Sequence, residues 1–355
     1  MHTLRKTATV ILIAAVSMAL AACSTSTSGS STSPTTPATT LRLGYFDNVT
    51  HAPALVGVHD GLIQKALGST HLTTTTFNAG PAAIEALSSG AIDATYIGPS
   101  PAINSFLRSA GRSLTIVSGV ASGGAALVVK PDITSVDQLK GTTIATPQLG
   151  NTQDVALRYW LKTHGIQTSV TGGGDVTISP TENAQALTLF QAGKIQGAWV
   201  PEPWVSRFVL DGGAKVLVNE ASLWTGGRFP TTVLAVSRAF LAAHPQTVSD
   251  LIRGNLAAVK ALSNRSAAIT SINAQLTADT GKSLPTDVLN RALDNVTFSA
   301  DPDATAFPQL LAHANAVGLG TTGSLTGIFD LRLLNTILSG EGKPAISADN
   351  LQVTS

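Results

Sequence analysis

The chain has 355 residues, which is enough for about two domains. Its 22 lysines and arginines nearly balance its 21 aspartates and glutamates, which argues against nucleic acid or an anionic lipid surface as the main partner. A single cysteine leaves no intramolecular disulfide, and the seven histidines lack the spacing of a metal site. We therefore expect a globular protein with neither a metal nor another cofactor.

The N-terminus has the charge order of a secretory signal. Arg5 and Lys6 precede an apolar run over 8–22, which is shorter than the about 20 residues of a confident membrane-spanning helix. The string LAAC that ends at Cys23 resembles the lipobox of bacterial lipoproteins, in which the cysteine is lipidated. We expect a signal peptide over 1–22 and an extracytoplasmic protein that the lipid on Cys23 anchors to the cell membrane.

The segment that follows this cysteine has a composition typical of a linker. Residues 24–40 contain only serine, threonine, glycine, proline and alanine, so they have little apolar surface to offset the entropy of ordering. A coil of this length reaches about 20–25 Å. The sequence predicts a flexible tether over 23–40 that holds a folded body close to a membrane.

From Leu41 onward, strand-like and helix-like stretches alternate, and after about residue 240 the signals are mainly helical. Such alternation indicates βαβ units and an α/β fold with a mostly parallel sheet. The expected order is strand 41–46, helix 52–65 bent at Gly61, strand 72–78, a helix that begins at Pro81 and ends just before Gly90, strand 91–97, helix 99–110, strands 113–120, 125–130 and 142–146, and helices 151–164 and 180–192.

Two stretches of the chain resemble each other. Residues 83–101 and 184–204 both run from a helix through a glycine to a strand and a proline-containing turn. With an offset of 103, Gly90 matches Gly193 and Tyr96 matches Trp199. The match is either a coincidence between two ordinary βα units or a sign of two similar lobes. In the second case, each lobe presents a strand end and a helix start to a shared cleft.

Several strings together resemble the substrate-binding lipoproteins of ABC importers, and most of all the branch that binds aliphatic sulfonates, taurine and nitrate. The resemblance covers nearly everything from Leu41 to about Val236. The strings are GYFDNVTHAPALVG (44–57), GAIDATYIGPSPAINSF (90–106), IATPQLGNTQDVALR (144–158), PTENAQALTLFQAGKIQGAWVPEPW (180–204) and GGRFPTTVLAV (226–236).

The resemblance implies a two-lobed, periplasmic-binding-protein-like fold of type II with two hinge crossings and a central ligand cleft. The crossings are expected near Ala125–Val129 and Val233–Val236. The first lobe then combines residues 41–128 with 236–355, and the second lobe comprises residues 129–235.

The resemblance also implies a function. The protein is expected to be a solute-binding lipoprotein, acting as a monomer, that captures a small organic anion and delivers it to an ABC permease and ATPase. An aliphatic sulfonate is the favoured solute. Nitrate, taurine, a sulfate ester and a thiamine-precursor pyrimidine remain alternatives on the same scaffold.

A sulfonate is permanently ionised and needs several donors that converge on it, and helix N-termini supply unpaired N–H groups with a favourable dipole. The residues after Gly150 are the best candidates, because Asn151 or Thr152 can cap a helix there and the glycine lets an anion approach the backbone. The expected ligand-binding residues are Asn48, His51, Gly98, Ser100, Ser122, Gly123, Asn151, Thr152, Gln153, Glu202, Trp204 and Arg228.

Four of these residues have structural alternatives. His51 either donates to the anion or caps a helix, and Trp204 either lines the apolar end of the cleft or packs with Phe208 in a core. Glu202 would repel a sulfonate, but it can meet a ligand ammonium or bridge the lobes. Arg228 is either a cationic partner of the anion or a solvated residue of a turn.

Two other functions fit the sequence less well. The string GPSPA (98–102) approximates the GxSxG elbow of hydrolases, with Ser100 as the nucleophile of a secreted esterase. The oxyanion hole of that elbow uses the N–H of the next residue, which here is Pro101 and has none. A surface adhesin would explain the tether but not two helix starts that face a cleft. We therefore expect no enzymatic activity.

Overall fold

The computed structural model of the chain describes residues 36–353. Cys23, the signal peptide and most of the tether lie outside the described residues, so the expectations about them stay predictions. Within 36–353, the structure contains no helix that is both long and apolar enough to cross a bilayer.

Strands and helices alternate over the first two thirds of the described chain, and helices dominate thereafter, as predicted. The strands are β1 Thr40–Tyr45, β2 His71–Thr76, β3 Ala94–Ile97, β4 Leu114–Gly123, β5 Ala125–Val129, β6 Thr143–Thr146, β7 Thr177–Pro180, β8 Gly197–Pro201, β9 Lys215–Asn219, β10 Pro230–Ser237 and β11 Val296–Phe298. The α-helices are α1 Ala52–His59, α2 Leu62–Leu67, α3 Gly80–Ser88, α4 Pro99–Arg108, α5 Thr152–Thr163, α6 Asn183–Gln191, α7 Trp204–Leu210, α8 Arg238–Ala243, α9 Pro245–Ala261, α10 Arg265–Thr280, α11 Thr286–Asp294, α12 Phe307–Ala316 and α13 Arg332–Gly340.

The strands form two sheets. One has six strands in the order β11-β4-β10-β3-β1-β2, and the other has five in the order β7-β6-β8-β5-β9. The prediction of a mostly parallel sheet is wrong, because parallel pairs are limited to β1 with β2 and β3, and β6 with β7 and β8. The other pairs are antiparallel. The chain leaves the six-stranded sheet through β4 and returns through β10, so these two strands run in opposite directions.

The passage from β4 to β5 is made by two glycines with left-handed backbones. Gly123 has φ of 82° and Gly124 has φ of 74°, which only glycine adopts without strain. A Cβ on Gly124 would also lie 2.4 Å from Cγ2 of Val296. These two residues therefore let one continuous stretch of chain serve both sheets.

Each sheet has its own buried apolar residues. The largest cluster packs against the six-stranded sheet and includes Tyr45, Tyr96 and Phe307. Alternate residues of β5 divide between two further clusters, with Val128 beside Phe190 in one and Leu127 beside Trp199 in the other. This period of two places the clusters on opposite faces of the five-stranded sheet.

Candidate functional site

Four helix starts meet at a small buried cavity, which we call the amide cavity. It is lined by residues that precede or begin α1, α4, α5 and α6, and its volume is about 20 Å³, close to that of one water molecule. Its polar side chains belong to Asn48, Thr50, His51, Asn78, Asn151, Gln153, Asn183 and Thr231, and Gly98 contributes backbone. The cavity thus brings together five of the twelve predicted site residues.

The topology explains why these helix starts converge. β1 and β3 are parallel neighbours in one sheet, and β6 and β7 are parallel neighbours in the other. Each of the four strands leads within a few residues into a helix. The carboxyl ends of parallel strands share an edge, so the following helix N-termini direct unpaired N–H groups and positive dipole ends into the same space.

Every side chain that lines the amide cavity is neutral. His51 is included, because complete burial lowers its pKa to about 3. Its Nδ1 accepts the N–H of Phe46 at 3.2 Å, so the ring proton resides on Nε2. Within residues 36–353, no protein group bonds to Nε2, which makes it a donor available to a ligand. In the same range, no cluster of three or more histidine, cysteine, aspartate or glutamate side chains is arranged to hold a metal ion.

The carboxamides supply both donors and acceptors. Asn48 uses its Oδ1 to accept the indole N–H of Trp204 at 2.9 Å, which leaves its NH₂ group to donate elsewhere. Gln153 is buried, and Oδ1 of Asn183 is buried without a hydrogen-bond partner among the described residues. Unsatisfied buried amides are costly, so these groups favour a polar ligand or ordered water in the cavity.

Thr152 joins the starts of α4 and α5. Its Oγ1 accepts the N–H of Ser100 at 3.3 Å, and a Cβ on Gly98 would lie only 2.6 Å from that oxygen. Glycine at position 98 therefore permits the close approach. The Oγ of Ser100 is buried and has no partner in the described part of the chain.

Ser122 and Gly123, which the sequence placed among the ligand-binding residues, do not line the amide cavity. The Ser122 hydroxyl donates to the carbonyl of Phe229 at 2.9 Å, and the Gly123 N–H donates to the same carbonyl at 3.1 Å. The strand pairing of β4 with β10 consumes these donors, because buried backbone groups pair wherever a neighbouring strand allows it.

Glu202 adopts the bridging role that the sequence left open. Its buried carboxylate accepts from the backbone N–H and the hydroxyl of Ser206, each at 3.0 Å, and from Nδ2 of Asn295 at 2.9 Å. Burial raises its pKa, and these hydrogen bonds act in the opposite direction. Glu202 follows β8 and Asn295 precedes β11, so the contact links elements of the two sheets.

Arg228 is committed to two carboxylates at the surface. Its Nη2 lies 2.5 Å from Oδ1 of Asp303 and 3.3 Å from Oδ2 of Asp301, and these partners raise the arginine pKa. The side chain is 59% exposed and does not line the amide cavity. Of the two alternatives that the sequence left open, the structure favours the surface residue of a turn, because the charge of Arg228 is paired with carboxylates more than 70 residues away in sequence.

The amide cavity adjoins a larger one of about 470 Å³, which we call the outer cavity. The two share Asn48, Asn78 and Asn183. Trp204 lines the outer cavity together with Phe77, Leu187, Leu276, Leu284 and the charged residues Asp47, Glu182, Arg207, Asp211 and Lys282. An anionic group in the amide cavity would therefore have room for an organic substituent beside it.

Sequence reasoning missed Asn78 and Asn183. Asn78 follows β2, and its Nδ2 donates to Oε1 of Glu182 at 2.6 Å. Asn183 is the first residue of α6, immediately after that glutamate. An asparagine at the end of a predicted strand or in the first turn of a predicted helix was the available signal.

Comparisons with known proteins show the family and the fold of the chain. The sequence model of the NMT1-like family matches residues 35–277. The taurine-binding periplasmic protein of Escherichia coli K12 is 28% identical over 199 residues, which is 55% of this chain. The match spans 58% of that relative, which is less than two thirds of its length.

Two solved structures show the same architecture. The alkanesulfonate-binding protein SsuA of Xanthomonas axonopodis pv. citri, bound to MOPS, superposes with a TM-score of 0.66 at 25% identity, over 81% of this chain and 96% of that one. The periplasmic nitrate-binding protein NrtA of Synechocystis PCC 6803 superposes with a TM-score of 0.68 at 15% identity, over 81% and 83% of the two chains. The predicted periplasmic-binding-protein-like fold is thus confirmed.

Proposed function

Because the chain belongs to the NMT1-like family, we propose that it is an extracytoplasmic solute-binding protein that captures a small organic anion, most of all an aliphatic sulfonate, for an ABC importer. One observation carries the proposal: a buried cavity at four helix starts is lined entirely by neutral polar and apolar groups. One relative is a taurine-binding protein and one structural neighbour is an alkanesulfonate-binding protein, which supports the choice of solute.

The amide cavity suits an anion that keeps its charge at every physiological pH. Each hydrogen bond to a charged group contributes about 1.5–3 kcal/mol, and each helix dipole about 0.3–1 kcal/mol or up to ~2 kcal/mol when partly buried. A few such contacts with burial of an organic tail reach micromolar affinity, about −8 kcal/mol. A fixed cation is not required.

A sulfonate is larger than the cavity as it stands, so binding includes a local rearrangement. The contact between Thr152 and Ser100 is the natural point of opening, since it joins helices on different sheets. The anion would replace Oγ1 of Thr152 as the acceptor of the Ser100 N–H, and the Thr152 hydroxyl would turn to donate to the anion. The organic substituent would extend into the outer cavity, where Trp204 and Phe77 supply apolar surface.

The remaining parts of the chain complete this proposal. Lipidation of Cys23 and the tether over 23–40 would hold the body near an ABC permease and ATPase. The first lobe would comprise 41–128 with 236–355 and the second 129–235, with the protein acting as a monomer. Catalysis is not proposed, because Pro101 lacks the N–H that a hydrolase elbow needs.

Isothermal titration of the purified protein with methane-, butane- and hexanesulfonate, taurine and nitrate tests the proposal. We expect micromolar binding of at least one alkanesulfonate and weaker binding of nitrate, which has no tail for the outer cavity. Butan-1-ol and hexan-1-ol, which carry the tail without a charge, serve as controls for tail burial alone. The proposal is wrong if the folded protein responds to none of these anions.

A further inference from the structure

The first turn of α5 also borders a second cavity, of about 260 Å³. Thr152 lines this cavity, whereas its neighbours Asn151 and Gln153 line the amide cavity. Its walls come from α5, from the segment 220–224 and from α12. We call it the aromatic cavity after its characteristic lining residues, which are Tyr159, Trp160, Glu220, Trp224 and His313.

The rings of the aromatic cavity are held in place by one another. Tyr159 stacks on His313 with centroids 3.6 Å apart, and Trp224 lies 5.5 Å from the same histidine. Trp160 packs against the buried Trp199 at 6.1 Å. Rings fixed in this way present their electron-rich faces at no further entropic cost, and such faces attract organic cations.

Glu220 places a carboxyl group in this wall. Its side chain is buried, and Oε2 accepts the indole N–H of Trp199 at 2.7 Å. Among residues 36–353 it forms no salt bridge, and neither lysine nor arginine lines the cavity. Buried carboxylates are ordinarily paired with a cation. No countercharge for an ionised Glu220 is present among the described residues, so its carboxyl group either holds a proton or meets a cation from outside the chain.

The other titratable groups at this cavity do not provide that countercharge. Burial lowers the pKa of His313 to about 4, so its ring is neutral near pH 7. Tyr159 is a neutral phenol at that pH. Burial raises the pKa of Glu220 to about 7, while the indoles of Trp199 and Trp224 oppose that rise. A bound cation would favour the ionised carboxylate.

We propose that the aromatic cavity is a second ligand site, which binds a small alkylammonium ion between the Trp160 and Trp224 side chains with its charge facing Glu220. The volume suits an ion of the size of choline rather than a drug-sized molecule. The chemistry of this site differs from that of the proposed anion site, because the aromatic cavity offers a carboxyl group and aromatic rings, whereas every side chain of the amide cavity is neutral.

Calorimetric titration of the purified protein with choline tests the proposal. The control is 3,3-dimethylbutan-1-ol, a neutral compound of nearly equal shape. We expect choline to bind about 10-fold more tightly than the alcohol, because only the cation gains from the rings and the carboxylate. Equal affinities would show an unspecific apolar crevice and overturn the proposal. So would the absence of choline binding at concentrations on the order of 10 mM.

Variants separate the carboxylate from the rings. Glu220→Gln keeps an acceptor for Trp199 and removes the charge, so choline should bind about 10-fold more weakly while the alcohol is unaffected. Trp224→Leu should weaken choline binding similarly and keeps the test decisive if the first variant does not fold. Glu341→Gln, at an exposed carboxylate paired with Lys343, is the matched control. Unchanged choline affinity in folded Glu220→Gln and Trp224→Leu proteins would contradict the proposal.

Alkanesulfonate titration of the same variants reports on the amide cavity separately. Loss of choline binding with retained sulfonate binding is the expected result. If wild-type protein binds choline but no sulfonate, the proposed anion function fails and the aromatic cavity stands.

Discussion

The hydroxyl oxygen of Thr152 accepts the backbone N–H of Ser100 at 3.3 Å, so the first residue of α5 closes directly onto the first turn of α4. The two helices follow strands of different sheets. This contact therefore occupies the Ser100 N–H, a donor that a bound anion would need. It forms only when the two sheets lie close together.

Replacing Thr152 by valine should weaken alkanesulfonate binding about 10-fold. The variant loses a hydrogen bond to a charged ligand, about 1.5–3 kcal/mol, and also removes a competing neutral bond of about 0.5–1.5 kcal/mol from the free protein. Calorimetry measures the affinity and urea unfolding the stability, which should change by less than about 1 kcal/mol. Thr336→Val, at an exposed helix hydroxyl bonded to Arg332, is the control. Wild-type affinity in Thr152→Val protein would remove the residue from the site.

Affinity should rise along a series of linear alkanesulfonates. Each methylene buried in the outer cavity contributes up to about 0.8 kcal/mol, which is roughly fourfold in the dissociation constant. The gain should stop once the tail passes Trp204 and reaches solvent. Trp204→Ala should flatten the series while methanesulfonate is affected less. A series without any dependence on chain length would place the tail outside this cavity.

Binding should be constant between pH 6 and pH 8. The amide cavity contains no group that titrates in this range, because the pKa of His51 is lowered to about 3, and a sulfonate stays ionised. Calorimetry in buffers of different ionisation enthalpy measures both affinity and proton uptake. Methanesulfonate is the test ligand, because the outer cavity that receives longer tails is lined by Asp47, whose pKa burial raises to about 7. A methanesulfonate affinity that falls steeply across this range would indicate a charged histidine in the site.

His51 should also make stability depend on pH. Its folded-state pKa of about 3 lies below the ordinary value of 6.5, so the unfolded chain binds the extra proton between these values. Stability from this group is complete above pH 6.5 and is lost as pH falls, by at most about 1.4 kcal/mol per pH unit. The raised pKa values of Asp47 and Glu220, each about 7, act in the opposite direction. The difference between wild-type and His51→Asn unfolding curves isolates the histidine, and a pH-independent difference would contradict its burial as a neutral ring.

Asn295→Ala should lower the free energy of unfolding by about 1–3 kcal/mol. The change removes one donor from the buried Glu202 carboxylate, and an under-satisfied buried charge is costly. It should also raise the pKa of Glu202 further, so the loss should be smaller at acidic pH. Asn290→Ala, at an amide of α11 whose Oδ1 accepts from Nε of Arg265, is the control. Equal stabilities of the two variants would show that Asn295 does not support the carboxylate.

Much of the secondary structure could be predicted from local signals. The bend after α1 follows from Gly61, whose φ is 67°, and the helix starts at α4 and α5 follow from the prolines and the Gly150–Asn151 turn. β7 and β9 were missed because they are short, and their alternating residues are only partly buried. Local patterns of this length carry little information about sheet membership.

Prediction of the site from the sequence was limited by contacts between residues that are distant in the chain. The sequence identified which loops meet, because strand ends gather at one edge of a sheet. It could not show that the Ser122 hydroxyl donates to the carbonyl of Phe229, or that the charge of Arg228 is paired with Asp303. Both partners are distant in sequence. Asn183 lines the amide cavity because α6 begins beside the starts of α1 and α5, and the sequence alone does not show that these helix starts are neighbours.

The neutrality of the amide cavity has a mechanical consequence. Its donors stand on helices that belong to two sheets, so moving the sheets apart divides the donor set and leaves neither half able to hold a desolvated anion. The affinity for an anion would then depend on the distance between the two sheets, and not on the protonation of a side chain or on a paired cation. Under the proposed function, a partner that moves the two sheets apart would release the bound anion without any change of protonation in the amide cavity.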